Sequence, residues 1–203
     1  MSYEFFDKRI PHHGITYKQF TQNIVEEIRN TNPITLNEHD LEMFEYKKLN
    51  LQRSARIEKN YEISEELKNE IQIIKEKQIW MVITEAWCGD SAQNLPYISK
   101  MALLNPNIDL RIILRDSNPQ IMDLYLTNGS KSIPKLVAFD ESGNELFTWG
   151  PRPKAAQELI EQWKREGIIK PELYEKLHLW YGRNKGREIE LEFLKIFTNV
   201  EQE

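Results

Sequence analysis

One short stretch, residues 78–96, constrains the fold of this chain more than any other: QIWMVITEAWCGDSAQNLP. It predicts a strand from Ile79 to Thr84 that breaks at Trp87-Cys88-Gly89-Asp90-Ser91 and turns into a helix. Cys88, the chain's one cysteine, stands at this break. A thiol at a helix N-terminus meets unpaired N–H groups and the positive end of the helix dipole, and both favour its thiolate. The sequence therefore predicts an exposed, reactive thiol at the joint between strand and helix.

Bulk properties exclude several classes of protein. The 203 residues suffice for one substantial domain with extensions, and the formal net charge of −5 gives no overall electrostatic footprint for nucleic acid. No run approaches the roughly 18 apolar residues of a membrane span, and the N-terminus lacks the pattern of a signal peptide. One cysteine cannot form an internal disulfide, which fits a reducing compartment. We expect a soluble, cytoplasmic protein with no membrane or nucleic-acid partner.

The N-terminal part of the chain reads as helical. Residues 1–17 mix proline, glycine and aromatic residues, which predicts an arm that docks on the core. Apolar residues then recur at helical spacing from Tyr17 to Ile28, from the cap residue Asn37 towards Tyr61, and again after Ser64. We therefore predict a helical N-terminal extension over residues 1–77.

After residue 77 the periodicity changes to alternating strands and helices. The predicted order is β-α-β-α-β-β-α, with these bounds: strand 79–84, helix 92–104, strand 108–114, helix 118–126, strands 136–139 and 145–149, and helix 154–165. Strand-helix-strand units with short joints predict parallel pairing, and Glu141-Ser142-Gly143-Asn144 predicts a hairpin. Two further amphipathic helices are expected at 173–181 and 189–197, within a C-terminal helical segment over 168–203.

This pattern resembles the thioredoxin family over about residues 78–167. Trp87-Cys88-Gly89-Asp90-Ser91 looks like the Trp-Cys-Gly-Pro-Cys motif, and Pro96 follows at the position of the proline in the active-site helix. Ser132-Ile133-Pro134 matches the cis-proline segment, and Gly150 matches the glycine beside the binding surface. The resemblance implies an α/β thioredoxin fold, a central mixed sheet flanked by helices, with helical extensions at both ends. With its extension and tail, the chain is similar to a bacterial subgroup that carries Trp-Cys-Gly-Asp.

The resemblance also implies roles for individual residues. Cys88 stands at the attacking position, but serine occupies the resolving position at Ser91 and cannot form a disulfide. Thioredoxins carry a buried aspartate six residues before the attacking cysteine, where this chain has Val82, and Glu85 is out of register. Both departures predict a monothiol site with a CxxS motif, Cys88 and Ser91 being its catalytic residues.

The acidity of the thiol follows from opposing effects. The helix terminus favours the anion by about 0.3–1 kcal/mol, and Asp90 opposes it by a comparable amount. The Ser91 hydroxyl either donates a hydrogen bond to the thiolate or merely starts the helix. We expect the pKa of Cys88 to lie slightly below that of a free thiol.

The substrate-binding residues implied by the resemblance flank Cys88: Trp87, Gly89, Asp90, Ile133, Pro134 and Gly150. Each also has a purely structural interpretation, with Trp87 packed beneath the motif and Pro134 serving as a structural cis-proline. In the functional interpretation, the backbone of Ile133 pairs with an extended substrate beside Cys88.

No cofactor or metal site is predicted. The four histidines lack metal-ligand spacing with the single cysteine, and Gly-rich phosphate loops are absent. Arg183, Lys185 and Arg187 form a small basic cluster that reads as a solvated helix joint.

The sequence thus predicts a thioredoxin-like monothiol exchange protein, an oxidoreductase without its resolving cysteine. Cys88 attacks a protein disulfide or a thiolated protein, and an external thiol resolves the mixed disulfide. Two alternatives stay open: a redox-inactive thioredoxin-fold module that binds a protein, and a peroxide-sensing thiol.

Overall fold

A computed structural model describes residues 3–200 of the chain. The N-terminal part contains α1 Glu4–Asp7, α2 Tyr17–Asn30, α3 Glu38–Asn60 and α4 Glu65–Gln72. The central part contains β1 Gln78–Thr84, α5 Gly89–Ala102, β2 Ile108–Leu114, α6 Pro119–Met122, β3 Lys135–Asp140, β4 Glu145–Trp149 and α7 Lys154–Arg165. The chain continues through α8 Lys170–Asn184 and α9 Arg187–Val200. Within the described residues, no helix is long and apolar enough to cross a membrane.

The four strands form one mixed sheet in the order β2-β1-β3-β4. β1 pairs in parallel with β2 and antiparallel with β3, and β3 pairs antiparallel with β4. The parallel pair is joined through α5, as a strand-helix-strand unit requires, and the β3–β4 hairpin closes on the predicted turn. The expected α/β class with a central mixed sheet is confirmed.

Side chains of β1 alternate between two apolar cores on opposite faces of the sheet, as the period of a strand dictates. Trp80 and Val82 pack with residues from α2, α4, α5 and α9. Met81 and Ile83 pack with the arm residues Phe5 and Phe6 and with α6. Helices from both ends of the chain therefore cover the sheet that carries the motif.

The N-terminal arm docks as expected. Phe5 and Phe6 are buried, and Ile15 exchanges backbone hydrogen bonds of 2.9 and 2.8 Å with Ile112 on the edge strand β2. The arm thus covers part of an otherwise open sheet edge. The domain boundaries after residues 77 and 167 stay predictions, and residues 1–2 and 201–203 of the predicted extensions lie outside the described part.

Several predicted helix bounds differ from the observed ones, and two of the differences have a local cause. α5 begins at Gly89 instead of residue 92, because the sulfur of Cys88 accepts a hydrogen bond from the Ser91 N–H and caps the helix itself. α6 ends at Met122 instead of residue 126, because the N–H groups of Leu124 and Tyr125 donate to the carbonyl oxygens three residues back, at Ile121 and Met122, and the chain tightens into turns.

Candidate functional site

The sulfur of Cys88 lies between the N-terminus of α5 and the segment that precedes β3. Sγ accepts the Ser91 N–H at 3.4 Å and donates its own proton to the Ile133 carbonyl oxygen at 3.3 Å. The Ile133–Pro134 peptide bond is cis, as the resemblance implies. The fold therefore brings Cys88 and Ile133, which are 45 positions apart, into direct contact.

The thiol is buried, so the expected exposed position is wrong. Cys88 is only 8% exposed and belongs to an apolar cluster with Ile133, Met122 and Phe6. Burial, and next the charge of Asp90, raise the pKa of the Cys88 thiol to about 11, against a usual value of 9.0. The expected pKa below that of a free thiol is wrong as well, because the apolar surroundings penalise the anion more than the helix terminus and the Ser91 hydrogen bonds stabilise it.

Ser91 supports the sulfur through its backbone N–H, and a hydrogen bond from its hydroxyl also lowers the pKa of the thiol, as expected. Its side chain is buried and shares a short hydrogen bond with the hydroxyl of Thr84 on β1. This second contact ties α5 to the sheet. Val82 is fully buried in the apolar core, and the nearby Glu85 carboxylate accepts the Asp116 N–H at 2.9 Å.

Asp90 lies at the centre of a buried polar network. Its carboxylate accepts hydrogen bonds from Arg152 Nη2 at 2.5 Å and Nε at 3.2 Å, and from the Tyr181 hydroxyl at 2.7 Å. Asn94 donates to the Tyr181 oxygen at 3.0 Å, and Gln157 accepts from Arg152 Nη1 at 2.7 Å. The network joins α5 to the loop before α7 and to α8.

A cleft of about 930 Å³ opens beside the motif, between α3 and α8. Its floor contains Trp87, Cys88, Gly89 and Asp90, and its walls include Arg53 from α3. His178 from α8 and Arg53 cover Gly89: a Cβ added there would lie 3.0 Å from His178 Cε1 and 3.7 Å from Arg53 Nη1. Burial, and next Arg53, lower the pKa of His178 to about 4, so its imidazole is neutral at physiological pH.

Of the remaining predicted binding residues, Trp87 lies in this cleft, whereas Ile133, Pro134 and Gly150 do not line it. Trp87 is half-buried, with the Arg115 guanidinium 4.7 Å from its ring centre. Ile133 and Pro134 are buried. Gly150 has a φ of +111°, and a Cβ there would lie 2.2 Å from the Pro134 carbonyl oxygen, so only glycine fits. The structure thus joins Trp87, Cys88, Gly89 and Asp90 in one cleft, while Gly150 lines a separate cleft against α9.

Sequence reasoning missed the residues that the helical extensions and the loop before α7 contribute. Arg152, Tyr181, His178 and Arg53 are separated from the motif by long stretches of chain, up to 91 positions for the contact between Tyr181 and Asp90. One signal was available in the sequence. A carboxylate such as Asp90, in the first helical turn after a buried strand, needs a cationic partner. Arg152 lies two residues after Gly150, which the resemblance places beside the binding surface. Within residues 3–200, no three His, Cys, Asp or Glu side chains converge as metal ligands would.

Comparison with solved structures agrees with this architecture. A protein of unknown function from Pseudomonas aeruginosa is similar over 98% of this chain and 99% of its own, with a TM-score of 0.62 and 19% identity. An HIV epitope-scaffold matches over 98% of this chain and 99% of its own, with a TM-score of 0.59 and 20% identity. At these identities the likeness shows the shared fold alone. No curated protein matches the sequence.

A family model described as thioredoxin matches residues 37–164, more than half of the chain. The match contains the motif, the cis-proline segment and the loop that carries Arg152, together with all of α3. The chain belongs to the thioredoxin family.

Proposed function

We propose that this protein is a monothiol exchange protein. Cys88 attacks a protein disulfide or a thiolated cysteine, and an external thiol resolves the resulting mixed disulfide. The observation that carries the proposal is the position of Cys88: its sulfur caps α5 and touches the Ile133 carbonyl oxygen, and the residue lines the cleft beside the motif. A disulfide entering that cleft would meet Cys88 at the N-terminus of α5.

The raised pKa slows this chemistry without abolishing it. With a pKa of about 11, roughly one thiol in ten thousand is ionised at neutral pH. A more basic thiolate is also more nucleophilic, with a Brønsted coefficient of about 0.4–0.5, which offsets part of the loss. Attack should therefore be about 20-fold slower than for a free thiol with a pKa near 8.5. The site is suited to slow capture of a specific partner.

The buried serine explains why a second molecule is needed. Ser91 cannot resolve a mixed disulfide, and its hydroxyl is engaged by Thr84. The buried position of Val82 has no proton-transferring group. An external thiol, from a small molecule or a partner protein, therefore completes the cycle.

The test is turnover of a model mixed disulfide in the presence of free thiol. Turnover should disappear in Cys88→Ser and persist in Ser91→Ala. In a single turnover without free thiol, the Ser91→Cys variant should resolve its own mixed disulfide, release the half bound to Cys88 and form an internal disulfide. The wild-type protein should stay as the mixed disulfide. Equal rates for the wild-type protein and Cys88→Ser would refute the proposal.

One observation favours a second candidate, a redox-inactive module that binds a protein partner. The Cys88 thiol is 8% exposed and protonated, and it donates to Ile133 as a structural side chain would. In that case the cleft recognises a partner without covalent chemistry, and the partner binds Cys88→Ser as tightly as it binds the wild-type protein. The raised pKa would slow peroxide sensing as well, since oxidation also proceeds through the thiolate.

Membership of the bacterial Trp-Cys-Gly-Asp subgroup and a cytoplasmic location remain part of this proposal. A reducing compartment would supply the external thiol that the mechanism requires.

A further inference from the structure

The cleft beside Cys88 contains a cation, Arg53, that pairs with no carboxylate among the described residues. Among the described residues, the Arg53 guanidinium has one hydrogen-bond partner, the Asn50 amide oxygen at 3.0 Å from Nη1. Arg53 is half-buried, and burial lowers its pKa. By contrast, Arg152 in the same cleft is paired with Asp90. Four of the five donors of Arg53 therefore remain available to a ligand.

Arg53 lies beside the motif and lines the same cleft as Cys88. Its Nη1 would be 3.7 Å from a Cβ at Gly89, the residue that follows Cys88. The N-terminus of α5, a helix of 14 residues, opens into the same floor. His178, which also covers Gly89, is neutral at physiological pH. The part of the cleft around Gly89 therefore attracts a negative group.

The other charged groups of the cleft lie at its rim. Glu42 and Glu175 are exposed there, and so is Lys170, whose ammonium lies 5.7 Å from the ring centre of Tyr174. Water and salt screen exposed charges of this kind much more than a half-buried guanidinium. Tyr46 on α3 and Tyr174 on α8 are both partly exposed and offer apolar ring surface above the floor.

We infer that this cleft binds a low-molecular-weight thiol that carries a carboxylate, with the carboxylate on Arg53 and the sulfur at Cys88. The inference rests on the proposed exchange function and names its substrate class. A guanidinium matches a carboxylate through two parallel N–H···O bonds, which gives orientation as well as attraction. The cleft, at about 930 Å³, is large enough for a ligand of this kind.

The exchange then balances with two molecules of the same thiol. The Cys88 thiolate attacks the sulfur of the carboxylate-bearing half of a thiolated protein, so that one S–S bond breaks and another forms. The protein thiolate leaves and takes up a proton. A second carboxylate-bearing thiol, deprotonated, attacks the bound half, releases the Cys88 thiolate and yields the symmetrical small disulfide.

Binding is tested first, with probes that cannot exchange. Methylthiopropionate and its uncharged amide are titrated into the full-length protein, and the amide resonance of Gly89 is followed by NMR. The wild-type protein should bind the carboxylate about tenfold more tightly than the amide. Arg53→Gln should abolish that preference and Arg53→Lys should retain part of it. Arg56→Gln, an exposed arginine three residues further along α3, should leave the preference unchanged.

Exchange is tested next with dithiodipropionate and its diamide, by intact mass. Arg53→Gln should slow modification of Cys88 by the acid about tenfold and leave modification by the diamide unchanged. If the wild-type protein shows no preference for the carboxylate, or if Arg53→Gln keeps it, the inference is overturned and the exchange function stands. If the preference in binding is present but no Cys88-dependent exchange occurs, the proposed function fails while the binding site remains.

Discussion

Two residues that flank Gly89 lie in opposite environments. Cys88 is surrounded by apolar side chains, and no cation is paired with its sulfur among the described residues. Asp90, two positions later, is held by the Arg152 guanidinium and the Tyr181 hydroxyl. The Arg152 guanidinium thus stabilises the Asp90 carboxylate. Ionisation of the Cys88 thiol is opposed both by burial and by the nearby negative charge of Asp90.

The magnitudes decide the protonation state of the thiol. A rise of the pKa from 9.0 to about 11 corresponds to about 2.7 kcal/mol against the thiolate. A helix N-terminus offers about 0.3–1 kcal/mol in its favour. A strand-to-helix joint therefore does not by itself make a cysteine acidic: the side chains packed around it determine the sign of the shift.

The largest effect is expected from breaking the ion pair. Arg152→Gln leaves the Asp90 carboxylate nearly buried without its cation, which should lower the free energy of unfolding by about 3–5 kcal/mol. Urea denaturation measures this, with the exposed Arg183→Gln as the matched control. Adding Asp90→Asn should recover part of the loss, because the unpaired charge is then absent. A change below about 1 kcal/mol, as for exposed pairs, would contradict the buried network.

A pH-dependent effect on the free energy of unfolding is expected from Cys88, because its thiol is buried. The folded-state pKa of the thiol, about 11, lies above the usual 9.0, so the contribution of the protonated thiol to stability is complete below about pH 9 and is lost as the pH rises through 11. The difference in unfolding free energy between the wild-type protein and Cys88→Ser should therefore shift by about 2.7 kcal/mol against the wild-type protein over that range. Denaturation at several alkaline pH values measures the difference, and a constant value would show that the thiol titrates normally in the fold.

A smaller effect on stability is expected from Tyr181, whose hydroxyl donates to the other oxygen of the Asp90 carboxylate. Tyr181→Phe removes one hydrogen bond to Asp90 and leaves Asn94 without that acceptor, at a cost of about 1–3 kcal/mol. Tyr174→Phe, on the same helix and partly exposed, should change stability by less than about 0.5 kcal/mol. Equal effects in the two variants would mean that the buried hydroxyl is not part of the network.

The smallest effect concerns the thiol itself. Asp90→Asn removes the negative charge that helps to raise the pKa of Cys88, so alkylation at pH 8 should accelerate by about threefold to tenfold. The exposed Asp116→Asn serves as the control. Circular dichroism must show the same helix content in both variants, and an unchanged or slower rate in a folded Asp90→Asn protein would assign the raised pKa to burial alone.

The sequence predicts the scaffold well and the site only in part. Strand periodicity, the hairpin turn and the Trp-Cys-Gly joint are local signals, and they correctly predict the sheet and its parallel pair, while the family resemblance implies the cis bond before Pro134. The burial of the thiol is not local, since it depends on Ile133 and on arm residues such as Phe6 that reach the same cluster from far along the chain. The partners of Asp90 and the cation Arg53 likewise come from outside the motif, where no spacing rule relates them to it.

Exchange at a buried, protonated Cys88 is tested most directly by the rate at which the residue forms a mixed disulfide, measured by intact mass from pH 7 to pH 10. We expect an adduct on the wild-type protein and none on Cys88→Ser. The rate should rise about tenfold for each pH unit and reach no plateau in that range, because the thiol is protonated throughout. A plateau near or below pH 8 would contradict the buried, protonated thiol, and the absence of any adduct at pH 10 would contradict exchange at Cys88.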